Sequence, residues 1–194
     1  MKVNEIFYSL QGEGYHVGTP AVFVRLSGCN QRCPFCDTQH EYGIEMTEEQ
    51  IVAEVRRYPA RNVVITGGEP SLQLTKSLVK LLHEDSRWVA VETNGTHSLP
   101  SNVDWITLSP KDPWLGPDAA PRLRTVDEIK LVFDGEHEPD EYSHIMSTHG
   151  RFLQPCDTGD PERNAQLVQR AVEYCKAHPQ WRLSLQIHKI LNIR

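Results

Sequence analysis

The sequence lacks the features that define several classes of protein. No apolar run approaches the roughly 20 residues that a membrane helix needs, so we expect no membrane span. Lysine and arginine number 20 against 26 aspartates and glutamates, and this net charge of −6 argues against a nucleic-acid partner. The first residues carry one lysine and no apolar core of a signal peptide. We therefore expect a cytoplasmic protein without membrane or nucleic-acid partners.

Two further absences limit the folds that the chain can adopt. The chain has no internal repeat, and no Gly-x-Gly-x-x-Gly follows a predicted strand, which argues against a doubly wound dinucleotide-binding fold. Its 194 residues suit a single domain over residues 1–194 but are too few for a typical complete barrel of eight strand–helix units.

Apolar, β-branched runs recur along the chain. Continuous apolar runs are typical of parallel strands that are covered on both faces. The predicted strands are Ala21–Leu26, Val63–Thr66, Trp88–Glu92, Val103–Leu108, Ile129–Phe133, Arg151–Gln154 and Arg182–Ile187.

Helical patterns lie between some of these strands. A capping box predicts a helix after Thr47, an apolar pattern predicts a second after Pro70, and an N-cap signal predicts a third from Asp160 to near His178. Residues 109–127 hold four of the 13 prolines, and we predict an ordered loop or lid there. Strands that alternate with helices indicate an α/β fold, and the short chain favours a truncated, partial (β/α) barrel with a mostly parallel sheet.

Cysteine is scarce and unevenly placed. Three of the five cysteines lie within eight residues, as Cys29-x3-Cys33-x2-Cys36, whereas Cys156 and Cys175 stand alone. An odd count with one tight cluster is a poor disulfide framework and a good candidate for a metal site. Three thiolates can hold three irons of a [4Fe–4S] cluster and leave the fourth iron open to another ligand.

A zinc site is the alternative on the cysteines alone, because His40 follows them and completes a possible Cys3His set. The segment Thr66-Gly67-Gly68-Glu69-Pro70 favours the cluster. It comes directly after a predicted strand, at the end where α/β barrels build their active sites. Its two glycines permit close approach to a ligand, and Glu69 can accept a hydrogen bond from an ammonium group.

The cysteine spacing with the downstream Gly-Gly-Glu-Pro resembles the radical S-adenosylmethionine (SAM) superfamily. The stretches LQGEG, CDT, VETNGT and LQIHK, with others spread from residue 5 to the C-terminus, more specifically resemble the 7-carboxy-7-deazaguanine synthase family. That resemblance implies a homodimeric truncated barrel that converts 6-carboxy-5,6,7,8-tetrahydropterin to 7-carboxy-7-deazaguanine and releases ammonia, on the way to queuosine and other 7-deazapurines. It also implies a [4Fe–4S] cluster, SAM, Mg2+ and a flavodoxin-type or other electron donor.

The resemblance also implies roles for individual residues. The implied metal ligands are Cys29, Cys33 and Cys36 for the cluster and Thr38 for Mg2+. The implied substrate contacts are Leu10, Gln11, Gly12, Arg25, Thr66 and Arg194. The implied SAM contacts are Phe35, Asp37, Gly68, Ser109, Lys111, Gln154, Pro155, Cys156 and Asp157. A guanidinium fork suits a carboxylate, and a hydroxyl suits Mg2+, which agrees with the roles of Arg25 and Thr38.

Simpler interpretations stay open for several of these residues. Arg25 could be a surface charge at a strand end, and Thr38 could be a turn hydroxyl. The relatives implied by the resemblance end in proline, so the contact made there either passes to Arg194 or is lost. Two other functions also stay open: another radical SAM activity, such as a glycyl-radical activase, and a zinc-stabilised binding module.

Overall fold

The computed structural model describes residues 1–139 and 142–194 in full, and the backbone alone at residues 140 and 141. The strands are Lys2–Leu10 (β1), Pro20–Leu26 (β2), Ile44–Glu45 (β3), Asn62–Gly67 (β4), Trp88–Thr93 (β5), Trp105–Leu108 (β6), Thr125–Phe133 (β7), Met146–Pro155 (β8) and Trp181–Leu183 (β9). The α-helices are Glu48–Val55 (α1), Lys76–Glu84 (α2), Asp112–Leu115 (α3), Pro161–Ala177 (α4) and Ile187–Leu191 (α5). Short 3-10 helices cover Pro70–Leu72, Pro117–Ala119 and Pro139–Tyr142.

All of these strands join one sheet in the order β3-β1-β2-β4-β5-β6-β7-β8-β9. Neighbouring strands from β2 to β9 are parallel, whereas β1 is antiparallel to both β2 and β3. Because β3 and β9 remain as edges, the sheet does not close. The α/β partial barrel predicted from the sequence is confirmed. No helix in the described part of the chain is both long and apolar enough to cross a membrane.

Alternate residues of the parallel strands face two different environments, because successive side chains of a strand point to opposite faces. On β4, Val63 and Ile65 belong to the large apolar cluster that α1 and α2 cover. Val64, between them, belongs with Ala90 of β5 to a separate, smaller apolar cluster. Two buried faces explain why these strands appear in the sequence as continuous apolar runs.

The predicted helix caps are present. Thr47 and Gln50 form the capping box of α1, in which the Gln50 amide donates to Thr47 Oγ1 at 3.2 Å. Asp160 caps α4 by accepting from the Glu162 amide at 2.9 Å, and the helix ends at His178. The first and third predicted helices are therefore confirmed with their boundaries.

Several predicted boundaries are wrong. The strand predicted at Arg182–Ile187 ends at Leu183, because Ser184 turns inward to donate to Gln154 at 3.0 Å and α5 begins at Ile187. The loop predicted over residues 109–127 contains α3, a 3-10 helix and the start of β7. Strand β1 was not predicted, because its sequence KVNEIFYSL mixes polar and apolar residues, and only Val3 and Phe7 of this strand are buried.

Candidate active site

The carboxyl ends of the parallel strands surround a cavity of about 1040 Å³. Every residue that the resemblance assigns to the site lines this cavity. They are Leu10, Gln11, Gly12, Arg25, Cys29, Cys33, Phe35, Cys36, Asp37, Thr38, Thr66, Gly68, Ser109, Lys111, Gln154, Pro155, Cys156, Asp157 and Arg194. Residues from both ends of the chain and from its middle thus meet in one space, while their individual binding roles stay predictions.

The cysteine loop, residues 29–36, follows β2 and is held by backbone hydrogen bonds at its base. The Gly28 amide donates to the His40 carbonyl at 2.7 Å, which closes the loop. Cys29 and Cys33 are half-buried and Cys36 is exposed, and all three are free thiols. Burial raises the pKa of the Cys29 and Cys33 thiols, and the nearby Lys111 ammonium opposes this shift. Lys111 therefore favours the thiolate form that a metal requires.

The Gly-Gly-Glu-Pro turn after β4 interlocks with the base of the cysteine loop. The Gly68 amide donates to the Leu26 carbonyl and the Glu69 amide to the Gly28 carbonyl, both at 2.9 Å. A Cβ at Gly68 would collide with the Gly28 carbonyl, and Gly67 has a φ of +117°. Both glycines are therefore required for the backbones to approach this closely.

Glu69 has a structural role that the sequence did not predict. Its side chain is 1% exposed and accepts hydrogen bonds from the Thr93 hydroxyl at 2.6 Å, the Asn94 amide at 2.7 Å and the Ser71 amide at 3.0 Å. These contacts tie the turn to the end of β5. The carboxylate holds the turn in place, and Glu69 also lines the cavity, so a contact with a ligand's ammonium stays a prediction.

The donor set fits a [4Fe–4S] cluster better than a single zinc ion. Among the described residues, no three His, Cys, Asp or Glu side chains are placed to share one metal ion. In a cluster each thiolate binds a different iron, so the sulfurs need not meet at one atom. Gln31, in the same loop, is 8% exposed and has no partner for either amide atom within the described chain. A buried, unpaired amide is costly, which fits a polar group bound beside it.

The side of the cavity facing the cysteines carries Lys111 and Ser109. Lys111 Nζ donates to the Ser109 carbonyl at 3.0 Å and to the Ser109 hydroxyl, and lies 5.9 Å from the centre of the Phe35 ring. Burial lowers the pKa of Lys111. Phe35 in turn packs edge-on against Trp114 at 4.7 Å. This arrangement offers a cation and an aromatic face to a ligand beside the sulfurs.

The floor of the cavity is a buried ion network of Glu13, Lys130 and Glu92. Lys130 Nζ pairs with Glu13 and lies 3.2 Å from Glu92 Oε1. Glu92 also accepts from the Thr66 hydroxyl at 2.9 Å and from Gln11 at 3.2 Å. Gln11 and Thr66 were predicted as site residues, whereas Lys130 was not.

The charges of the floor stabilise one another. Burial alone would raise the pKa of Glu13, but the Lys130 ammonium outweighs it and lowers this pKa to about 2. Burial would lower the pKa of Lys130, but Glu13 and Glu92 hold it above its ordinary value. Burial raises the pKa of the neighbouring Glu128, which accepts from the Thr107 hydroxyl at 2.7 Å. Glu13 and Lys130 therefore carry fixed charges at neutral pH.

Arg25 and Thr38 are adjacent at the rim of the cavity. Arg25 Nη1 donates to Thr38 Oγ1 at 3.3 Å, and Arg25 Nε donates to Glu5 Oε1 at 2.9 Å. The Arg25 side chain is 25% exposed, so it is neither buried nor free in solvent. A carboxylate that contacted Arg25 would lie beside the Thr38 hydroxyl, which makes the two predicted roles compatible in space.

The C-terminal segment, residues 186–194, crosses the open side of the barrel. The Ile187 amide donates to the Gly12 carbonyl at 3.0 Å, and Gln186 donates to Glu13 at 2.9 Å. Lys189 pairs with Asp157 at 2.6 Å. Burial alone would lower the pKa of Lys189, but the contact with Asp157 outweighs it and leaves this pKa raised. Through these contacts the last residues complete the wall that the open sheet leaves incomplete.

The chain is similar to proteins of known identity. The profile of the Radical SAM superfamily matches residues 23–113. A 7-carboxy-7-deazaguanine synthase of Bacteroides thetaiotaomicron is 49% identical over 193 residues, covering 100% of this chain and 98% of that protein. The 7-carboxy-7-deazaguanine synthase of Caulobacter vibrioides is 41% identical and covers 98% of both chains. The crystal structure of QueE from Escherichia coli superimposes with a TM-score of 0.72 at 30% identity, covering 95% of this chain and 93% of that chain.

Proposed function

Because the chain belongs to the 7-carboxy-7-deazaguanine synthase family of radical SAM enzymes, we propose that it converts 6-carboxy-5,6,7,8-tetrahydropterin to 7-carboxy-7-deazaguanine with release of ammonia. It is a radical SAM lyase of queuosine biosynthesis. The observation that carries the proposal is the backbone interlock of the cysteine loop and the Gly-Gly-Glu-Pro turn. The interlock sets three thiols beside a cavity whose opposite walls carry a guanidinium and a buried ion network.

We assign the cluster to Cys29, Cys33 and Cys36. When bound, the cluster and SAM supply the radical that takes a hydrogen atom from the substrate. The positive charge of Lys111 favours the thiolate of Cys33, because it opposes the rise in pKa that burial of this thiol causes. Phe35, Ser109 and Lys111 would hold SAM together with Asp37, Gly68 and residues 154–157, all of which line the same cavity.

We assign the substrate to the space between the floor and Arg25. Arg25 binds the carboxylate, since a guanidinium fork and a carboxylate match in charge and geometry. Thr38 binds Mg2+, which also takes substrate oxygens and waters as ligands. The ring of the substrate lies on Gln11, Gly12 and Thr66, with Leu10 and Arg194 at its edge. The floor charges orient Gln11 and Thr66 through hydrogen bonds to Glu92.

We further propose that the enzyme acts in the cytoplasm as a homodimer and receives electrons from a flavodoxin-type or other donor. The exposed Cys36 supports delivery of electrons from outside the chain, because it brings the cluster site to the surface.

Anaerobic turnover tests the proposal. The reconstituted protein is incubated with 6-carboxytetrahydropterin, SAM, Mg2+ and a chemical reductant, and products are identified by mass spectrometry. We expect 7-carboxy-7-deazaguanine and ammonia in equal amounts, with SAM not consumed in proportion. SAM cleavage without either product would show a radical SAM enzyme with a different substrate. A colourless protein that binds zinc and no iron would contradict the cluster assignment as well.

A further inference from the structure

We propose that Glu5 is a positioning residue that joins Arg25 and Arg194 into one carboxylate-binding site, an inference that rests on the proposed function. Glu5 lies on β1, and its two carboxylate oxygens contact different guanidiniums. Oε1 accepts from Arg25 Nε at 2.9 Å, and Oε2 accepts from Arg194 Nη2. The carboxylate therefore fixes the separation of two cations that come from opposite ends of the chain.

Phe7 supports both guanidiniums from below. The Arg25 and Arg194 guanidinium carbons lie 5.7 Å and 5.2 Å from the centre of its ring. Phe7 is 7% exposed and stacks on Phe23 at 5.0 Å, so the ring is a rigid platform. A cation over an aromatic face within about 6 Å is attracted by the ring. Two independent interactions, one ionic and one aromatic, thus hold each guanidinium.

The charge of this group calls for an anion. The two guanidiniums and the Glu5 carboxylate leave one net positive charge among these three side chains, and all three line the cavity. Each guanidinium has five N–H donors. The described polar side-chain contacts engage Nε and Nη1 of Arg25 and Nη2 of Arg194, which leaves donors on both for a second carboxylate. The ligand that fits is a carboxylate attached to the substrate ring.

The two arginines differ in how firmly they are held. The Arg25 side chain is 25% exposed and has a second contact to Thr38, whereas the Arg194 side chain is 71% exposed. The Arg194 backbone is held by the Ser9 hydroxyl, which donates to its carbonyl. Arg25 is therefore the fixed side of the site, and Arg194 is the outer side, whose position depends on Glu5.

Kinetics of Glu5→Gln, Arg194→Ala and the double variant test the inference. We expect Glu5→Gln to raise the KM for 6-carboxytetrahydropterin about tenfold, the cost of one charge-assisted hydrogen bond, with kcat within about twofold of wild type. Arg194→Ala raises KM by a smaller factor. In the double variant we expect KM to rise by less than the product of the two single fold-increases, because the effects of coupled residues are not independent. Iron content and SAM affinity remain at wild-type values.

Glu45→Gln is the matched control, since Glu45 lies on the neighbouring β3 with its side chain 80% exposed. A KM for Glu5→Gln equal to that of this control, or single effects that simply multiply, would overturn the inference. If Glu5→Gln does not load the cluster, Arg194→Ala and Arg194→Lys serve as the test. An unchanged KM in both variants would overturn the inference. A wild-type enzyme that forms no product refutes the proposed function, whereas a normal wild type with an unmoved Glu5→Gln refutes the inference alone.

Discussion

The floor of the cavity and the cysteine loop face the same space but are held in opposite ways. The side chains of the floor bind each other: Lys130 pairs with Glu13 and Glu92, and none of the three is more than 22% exposed. The cysteine loop is anchored by backbone hydrogen bonds at Gly28 and by the Asn30 side chain, which bonds to Asn94 and Thr96, while its three cysteines form no disulfide. The floor is therefore preorganised by its own charges, whereas the loop leaves its three thiols for a bound group.

The largest effect is expected in the loop. Cys29→Ala, Cys33→Ala and Cys36→Ala each remove the thiolate of one iron, so we expect loss of the cluster and of all product formation. Iron and sulfide are counted after anaerobic reconstitution. Cys156→Ala and Cys175→Ala are the controls and should keep the cluster. If Cys156→Ala loses it as completely as Cys33→Ala, the cluster is not held by the loop alone and the comparison fails.

Substitutions in the floor should instead lower the unfolding free energy of the protein. Lys130→Met leaves Glu13 and Glu92 buried without their cation, which costs about 3–5 kcal/mol of unfolding free energy. Lys80→Met removes an exposed pair with Glu84 and should cost about 0–0.5 kcal/mol. The measurement is the urea midpoint of both variants under anaerobic conditions. Equal midpoints would mean that the floor network is not a source of stability.

The same network predicts that the stability of the fold depends on pH in the acidic range. Glu13 has a folded pKa of about 2 against an ordinary 4.5, so its contribution is complete above the ordinary value and is lost as the pH falls toward about 2. In Lys130→Met the cause of the low pKa is gone. Wild type should lose unfolding free energy as the pH falls from about 4.5 toward about 2, and we expect Lys130→Met not to show this part of the loss.

Arg25 should affect binding and leave folding intact. Arg25→Ala removes a charge-assisted hydrogen bond to the substrate carboxylate, which costs about 1.5–3 kcal/mol, or roughly 10- to 150-fold in affinity. SAM binding and iron content should survive, because Arg25 contacts neither the cysteines nor Lys111 in the described structure. The check is a substrate titration of the reconstituted variant. An unchanged affinity would return Arg25 to the role of a strand-end charge.

Thr38 should give the smallest and most specific change. Thr38→Ala removes the predicted Mg2+ ligand, and Thr38→Ser retains a hydroxyl. We expect Thr38→Ala to keep the cluster and to cleave SAM slowly, but to lose the stimulation of product formation by Mg2+, while Thr38→Ser keeps it. Initial rates are measured against Mg2+ concentration. A full wild-type response in Thr38→Ala would leave Thr38 as a turn residue.

The parts of the site that could be predicted from the sequence are those encoded locally. The cysteine spacing and the Gly-Gly-Glu-Pro turn are each contained in a few residues, and a parallel sheet brings the ends of its strands together. Lys130 was missed although it stands in the apolar run Ile129–Phe133. Its partner Glu13 lies 117 residues away in the sequence, so no local sequence pattern predicts that the two side chains pair.

The fold shows the same division. The apolar strands and the two capped helices were predictable because their signals are local and periodic. Strand β1 was not, because its antiparallel pairing with β2 allows it to be stable with several half-exposed polar residues. Glu5 belongs to that strand, so missing the strand also meant missing the residue that joins Arg25 to Arg194.

The alternation along the parallel strands separates two tasks within a single stretch of sequence. On β5, Val89 and Val91 are fully buried beneath the helices, whereas Ala90 and Glu92 face inward. One stretch of sequence thus supplies, at alternate positions, both the contact with the helices and the lining of the cavity. The inward positions also stabilise the fold, because Lys130 and Glu92 pair there, so a substitution in the cavity changes stability as well as binding.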